Sequence, residues 1–198
     1  MTAHPSLPGD LGGAEVGDSA QEWRVASRTS HYESPYLSVG VDVIVAPDGS
    51  EHGRVVVRPH GAVGVLALDD ADRVLLVEQY RHAQRQRMVE LPAGTLDVEG
   101  EEPLEAARRE LGEEADLAAA DWSTLLTLAA TPGYSSERWT VYRATGLSVL
   151  PTHEREAEEA DMQQWWVPFE TALEAALTGR IADAMTVAGL LAESARRR

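Results

Sequence analysis

The sequence predicts an α+β fold, a mixed sheet with helices layered on it. Two observations carry this expectation. Alternating, β-branched segments begin near Trp23, pause for one helical pattern, resume, and give way to two helical patterns at the end. No internal repeat is visible, which argues against a repeat architecture. Strands, one helix, more strands and then two helices is an order that suits a layered domain.

Residues 1–21 are rich in Gly, Ser, Pro and Ala and read as a leader without regular structure. They lack the basic start and apolar core of a signal peptide. Residues 22–60 read as an N-terminal antiparallel β subdomain. Leu37–Val45 alternates, Pro47-Asp48-Gly49-Ser50 is a turn, and Arg54–Arg58 is a returning strand.

Residues 61–198 form the main domain. Ala62–Leu68 reads as a buried strand, Asp69–Asp72 as a turn and Val74–Tyr80 as the returning strand. Arg81–Arg87 is polar and loop-like. Met88–Leu91 is a short strand that stops at Pro92-Ala93-Gly94. A helix starts near Pro103, since proline suits the first helical position. Leu104, Ala107 and Leu111 mark its apolar side, and it ends near Ala115. Strands follow at Leu125–Ala130 and Arg138–Ala144, joined by a loop. An acidic loop, His153–Asp161, precedes a strand at Gln163–Val167. Trp165 and Trp166 point to opposite faces of that strand, and both read as packing residues. Phe169–Leu177 is a helix stopped by Gly179, and Ile181–Ala195 is the last helix.

Composition narrows the chemistry. Hydrophobic residues are 43% and charged residues 25% of 198, as in a globular protein. No apolar run approaches the roughly 20 residues a membrane-spanning helix needs. Cysteine is absent, which excludes disulfides, zinc-thiolate sites and a cysteine nucleophile. With no signal peptide, the cytoplasm is the expected compartment. All 17 basic residues are arginine, so Schiff-base chemistry on lysine is excluded. The formal net charge of −16 opposes duplex nucleic acid at long range. It does not oppose a small phosphorylated ligand held by a metal ion and local arginines.

The strongest local signal lies between Gly94 and Leu117. Glu110, Glu113 and Glu114 stand at i, i+3 and i+4, so a helix puts them on one face. Like charges so placed repel by a few tenths of a kcal/mol per pair on an isolated helix. A hard divalent cation resolves that conflict. Gly94 and Gly100 let the preceding loop approach a ligand, and its backbone carbonyls can join the carboxylates. Mg²⁺ suits such a set when water and substrate phosphate complete its shell. For Glu102 and Glu105 a solvated helix face is the better reading.

These residues resemble the Nudix box, Gly-x5-Glu-x7-Arg-Glu-U-x-Glu-Glu-x-Gly-U with U aliphatic. Arg109-Glu110, Leu111, Glu113-Glu114 and Leu117 match it, and Glu101 stands seven residues before Arg109. Two departures occur. Six residues, not five, separate Gly94 from Glu101, and Asp116 stands where the box has glycine. Aspartate tolerates the left-handed conformation better than most residues. The resemblance implies an α/β/α sandwich with a mixed sheet. It also implies hydrolysis of a nucleoside diphosphate linked to another moiety. Glu110 and Glu114 would be the principal ligands of Mg²⁺, or of Mn²⁺ in its place, and the Ala93 carbonyl would complete the site. Glu113 would act through another metal or water, Glu101 would ligate or support, and Arg109 would orient the glutamates.

Beyond the box, Glu78-Gln79-Tyr80-Arg81-His82 and Thr131-Pro132-Gly133-Tyr134-Ser135-Ser136-Glu137 resemble the ADP-ribose pyrophosphatase branch. Pro132 lies sixteen positions after Asp116, where that branch carries a proline. The resemblance implies that Arg81 binds phosphate and that Gly133, Ser135 and Glu137 contribute to substrate binding. It places a catalytic base on the acidic loop, Glu159 first and Glu158 next. It also implies a domain-swapped homodimer in which Trp23 or Tyr36 stacks on the base. The expected reaction gives AMP and ribose 5-phosphate from ADP-ribose. The same chemistry on a nucleotide sugar, NADH or a dinucleoside polyphosphate is the alternative, followed by an ADP-ribose-binding module without catalysis.

Overall fold

In the computed structural model, residues 2–3, 5–152 and 161–198 are described. Near the N-terminus, β1 (Thr2–Ala3) pairs antiparallel with β2 (Asp10–Leu11). The first extended sheet joins β3 (Val25–Glu33), β4 (Leu37–Val45) and β5 (Glu51–Pro59) in antiparallel order. The turn at Pro47–Ser50 closes the β4–β5 hairpin, with Gly49 at φ +85°, where a side chain would be strained.

The main domain is built on β6 (Ala62–Ala67), the best-buried strand. It runs parallel to β11 (Arg138–Val149) and antiparallel to β9 (Ala93–Thr95). On the far side of β11 lies β10 (Leu117–Ala129), giving a mixed sheet in the order β10-β11-β6-β9. A second sheet places β7 (Arg73–Arg81) between β12 (Gln163–Pro168) and β8 (Gln86–Glu90).

Strand alternation on β6 sets the layering. Val63, Val65 and Ala67 bury against Ala106, Ala107 and Leu111 of α1 (Pro103–Ala115). Leu66 and Leu68 face the other way, into a core with Phe169 and Ala172 of α2 (Phe169–Leu177) and Leu190 of α3 (Ala184–Arg196). The result is one helix on one side and two on the other, the expected α/β/α order. Small residues admit α3. A Cβ on Gly64 would overlap Met185, and one on Gly189 would crowd Leu91 and Val141.

Three elements differ from their sequence reading. β10 begins at Leu117 rather than Leu125, because the Ala118–Thr124 stretch, weak in β propensity, is held by a ladder to β11. β8 begins within the polar Arg81–Arg87 segment, and only the turn around His82–Arg85 is irregular. α3 starts at Ala184, after the N-cap Asp183, so Ile181 is a buried loop residue rather than a helical one. Trp165 and Trp166 are not core residues of this chain. They are 47% and 39% exposed on β12, an edge strand whose faces this chain covers only in part.

Candidate active site

A cleft of about 580 Å³ opens beside the mixed sheet, a size usual for small-molecule sites. Arg81, Glu90, Ala93, Gly94, Trp139 and Asp183 are among its walls. The turn Leu91-Pro92-Ala93 crosses its floor and reaches α1.

The helix delivers the carboxylates. Pro103 starts α1, and the chain leaves it at Asp116 with φ +56° and ψ +37°. The residue that replaces the glycine of the box therefore adopts the left-handed conformation glycine would supply. Its N–H closes the helix on Gly112 and Leu111. Inside the helix, Glu114 is 4% exposed and accepts the Ala93 N–H at 2.9 Å. Gly94 lies so close to Glu110 that a Cβ there would overlap the carboxylate. A side chain at this position would have to displace the Glu110 carboxylate.

Arg109 ties the acidic set together. Its guanidinium bonds Glu101 at 3.1 Å through two nitrogens, Glu110 at 2.7 Å and Glu113 at 2.9 Å. The Glu101 hydrogen bonds, with these neighbouring carboxylates, raise its pKa despite burial. Glu101 is therefore within reach of Arg109 although the loop after Gly94 has one extra residue. Among the described residues, no three carboxylate or imidazole side chains close into a ready-made cage. Arg109 bonds three of the acids and the Ala93 N–H bonds Glu114. The donor set, all carboxylate and backbone oxygen, fits a hard divalent cation, and the cradle that Gly94 leaves for Glu110 fits it too.

Arg81 supplies a basic wall of the cleft. It makes a bidentate pair with Glu90 at 2.6–3.1 Å, and Glu90 also accepts from Gln79 at 3.4 Å. Glu90 is 5% exposed. Its hydrogen bond raises the Arg81 pKa against the opposing effect of burial, so the guanidinium stays charged.

The other sequence candidates lie elsewhere. Glu158 and Glu159 fall outside the described residues. Trp23, before β3, and Tyr36, in the β3–β4 turn, are 40% and 71% exposed, and neither is among the residues lining the cleft within this chain. Gly133, Ser135 and Glu137 sit on the β10–β11 loop. That loop is fastened to β5, where Val57 donates to Tyr134 and accepts from Ser136. They too are not among the lining residues.

Glu90, Trp139, Asp183 and Thr186 were not singled out from the sequence. Glu90 had a signal, being a lone acid within the otherwise apolar Met88–Leu91 segment. Trp139 carried none, since an aromatic in a strand is usually packing.

Similarity to known proteins decides the family. The sequence model of the NUDIX domain matches residues 58–187. The chain belongs to the Nudix family. This Nudix protein is 41% identical over 168 residues to an ADP-ribose pyrophosphatase of Mycobacterium tuberculosis, covering 85% of this chain and 81% of the relative. It is 30% identical over 165 residues to an ADP-ribose pyrophosphatase of Bacillus subtilis, covering 83% and 89%. The crystal structure of an ADP compounds hydrolase superposes with a TM-score of 0.74 at 22% identity, over 90% of this chain and 95% of that one. That superposition shows the Nudix fold. No described helix is long and apolar enough to cross a membrane.

Proposed function

We propose that this Nudix protein hydrolyses the pyrophosphate of ADP-ribose, giving AMP and ribose 5-phosphate. One observation carries the proposal. Arg81 and the Ala93–Gly94 turn line one cleft, and that turn sits directly on Glu110 and Glu114. A metal cation and a phosphate-binding guanidinium beside one small-molecule cleft suit a diphosphate. The names of the two bacterial relatives support ADP-ribose as that diphosphate.

Glu110, Glu114 and the Ala93 carbonyl are the residues that would hold Mg²⁺, with Mn²⁺ able to replace it. Glu113 would serve a further metal or its water, and Glu101 would support them. Such a cation, when bound, neutralises phosphate charge and makes water a better nucleophile. The chain's own residues do the rest. Arg109 orients the glutamates, because one guanidinium bonds three of them. Arg81, kept charged by Glu90, binds phosphate and offsets charge that develops as water attacks phosphorus. Glu159, or its neighbour Glu158, takes the water's proton as general base. Water's oxygen bonds to one phosphorus as the bridging P–O bond breaks, which separates AMP from ribose 5-phosphate.

The remaining assignments rest on the same resemblance. Residues 22–60 are proposed as a dimerisation and base-binding subdomain, following a leader at 1–21. In a domain-swapped homodimer Trp23 or Tyr36 would complete the partner's site, with Gly133, Ser135 and Glu137 binding the substrate. The exposure of Trp23 and Tyr36, and the bonding of the 131–137 loop to β5, support that arrangement. The cytoplasm is the proposed compartment.

The test is direct. Purified protein is incubated with ADP-ribose and Mg²⁺, and the nucleotides are resolved. AMP should accumulate with ribose 5-phosphate, and kcat/KM should exceed that for nucleotide sugars, NADH and dinucleoside polyphosphates. No AMP, or a better substrate in that panel, overturns the assignment. Glu114→Gln should abolish turnover with little loss of fold.

A further inference from the structure

The turn that carries Ala93 is held from behind by the last helix. Thr186, in the first turn of α3, is fully buried. Its hydroxyl accepts the Leu91 N–H at 2.8 Å from 95 residues away in the chain. The same hydroxyl donates to Asp183 Oδ2 at 2.7 Å. Asp183 is the N-cap of α3 and takes the Thr186 N–H at 2.8 Å with that same oxygen.

The polarity of this chain of bonds follows from counting protons. A threonine hydroxyl has one proton and two lone pairs. The carboxylate of Asp183 can only accept, so it takes the proton. A lone pair of Thr186 then faces the Leu91 N–H. Capping the helix requires only the Thr186 N–H, so it does not explain the hydroxyl contact. Two residues on, the Ala93 N–H donates to Glu114, and between them the Pro92 carbonyl accepts from Val65 at 2.8 Å. Three successive residues of the turn are thus each fixed to a different element: α3, β6 and α1.

We infer that Thr186, oriented by Asp183, is a positioning residue. It fixes the Leu91–Ala93 turn so that Ala93 meets Glu114 at the metal site. This rests on the proposed role of Ala93 and Glu114 as metal ligands. Thr186 touches neither substrate nor metal in this assignment and acts through the turn.

Thr186→Val keeps the shape and removes the acceptor, while Thr186→Ser keeps the acceptor. Binding of Mn²⁺ to the free protein is followed by electron paramagnetic resonance, and amide exchange is followed in the 88–95 peptide. Thr186→Val should weaken Mn²⁺ binding about tenfold, the lower end of what loss of a supporting contact does at metal sites. It should also speed exchange in that peptide. Thr186→Ser should bind Mn²⁺ within about twofold of the parent, since it keeps the bond. Leu190→Ala, also fully buried on α3, controls for loss of stability and should bind Mn²⁺ like the parent. Parent-like binding by Thr186→Val, or equal weakening by Leu190→Ala, overturns the inference. Glu114→Gln separates the two levels. If it binds Mn²⁺ like the parent, the metal-site assignment fails and the inference with it. If it loses binding while Thr186→Val does not, only the inference fails.

Discussion

Ala93 donates its N–H to the Glu114 carboxylate at 2.9 Å, joining the start of β9 to the last turn of α1 across 21 residues of sequence. This bond locks the relation between the two parts of the Nudix box. A carboxylate that is 4% exposed needs polar partners, and the backbone supplies one where the helix meets the turn.

Gly94 leaves no room for a side chain beside Glu110. A Cβ there would overlap the Glu110 carboxylate, so Gly94→Ala must displace that side chain from its place beside the turn. The expected stability loss is about 1–3 kcal/mol, typical of overpacking. Activity should fall further than stability, by roughly 100-fold, since an ångström of misplacement is costly at a reacting centre. Thermal melting and kcat/KM together check this; a parent-like kcat would show that the turn has slack.

Arg109 should separate geometry from charge. Arg109→Ala removes the guanidinium that Glu101, Glu110 and Glu113 share and so increases their mutual repulsion. A drop of roughly 10–100-fold in ADP-ribose turnover is expected, as for other supporting residues of metal sites. Arg109→Lys keeps the charge but not the fork and should recover only part of it. Raising Mg²⁺ should rescue the alanine variant more than the parent. Kinetics across a metal titration read out both effects.

The Arg81–Glu90 pair calls for a double-mutant cycle. Glu90 is buried, so Arg81→Ala strands its carboxylate and should cost about 3 kcal/mol. Arg81→Ala combined with Glu90→Leu should regain much of that stability, because no buried charge is left. It should regain no activity, because the phosphate-binding cation is still missing. Urea unfolding and steady-state kinetics on the four proteins test both halves. Recovery of activity in the double variant would remove Arg81 from phosphate binding.

The box was legible because its spacing is local, and the α/β/α order came with the family resemblance that the box carries. Spacing within one helix put Glu110, Glu113 and Glu114 together, and the αL tolerance of aspartate accounted for Asp116, found at φ +56°. The long-range partners were not legible. Thr186 meets Leu91 only because Gly64 and Gly189 let α3 press onto the sheet, and no local pattern encodes that approach. The start of β10 was missed for a related reason. Ala118-Ala119-Ala120-Asp121 has little strand preference of its own and takes its form from β11. The exposed faces of Trp165 and Trp166 could not be foreseen either, since strand alternation says which way a side chain points but not what covers it.

Acid should weaken the protein through its C-terminal helix. Glu193 is fully buried on α3 and bonds Arg196 at 2.8 Å, Arg197 at 3.0 Å and Arg143 at 3.3 Å. Burial pushes its carboxyl pKa up, but the arginines outweigh burial and bring it to about 2, from an ordinary 4.5. The unfolded chain therefore binds a proton at this position before the folded chain does. The Glu193 contribution is complete above about pH 4.5, shrinks as pH falls through that window, and is gone below about pH 2. Its size is of order 1–3 kcal/mol after allowing for the partly exposed arginines. The stability gap between the parent and Glu193→Gln, read from urea midpoints, should be widest at pH 7 and should narrow steadily from pH 5 to pH 3. A gap that stays constant over that range would mean the arginines hold the helix end without help from this charge.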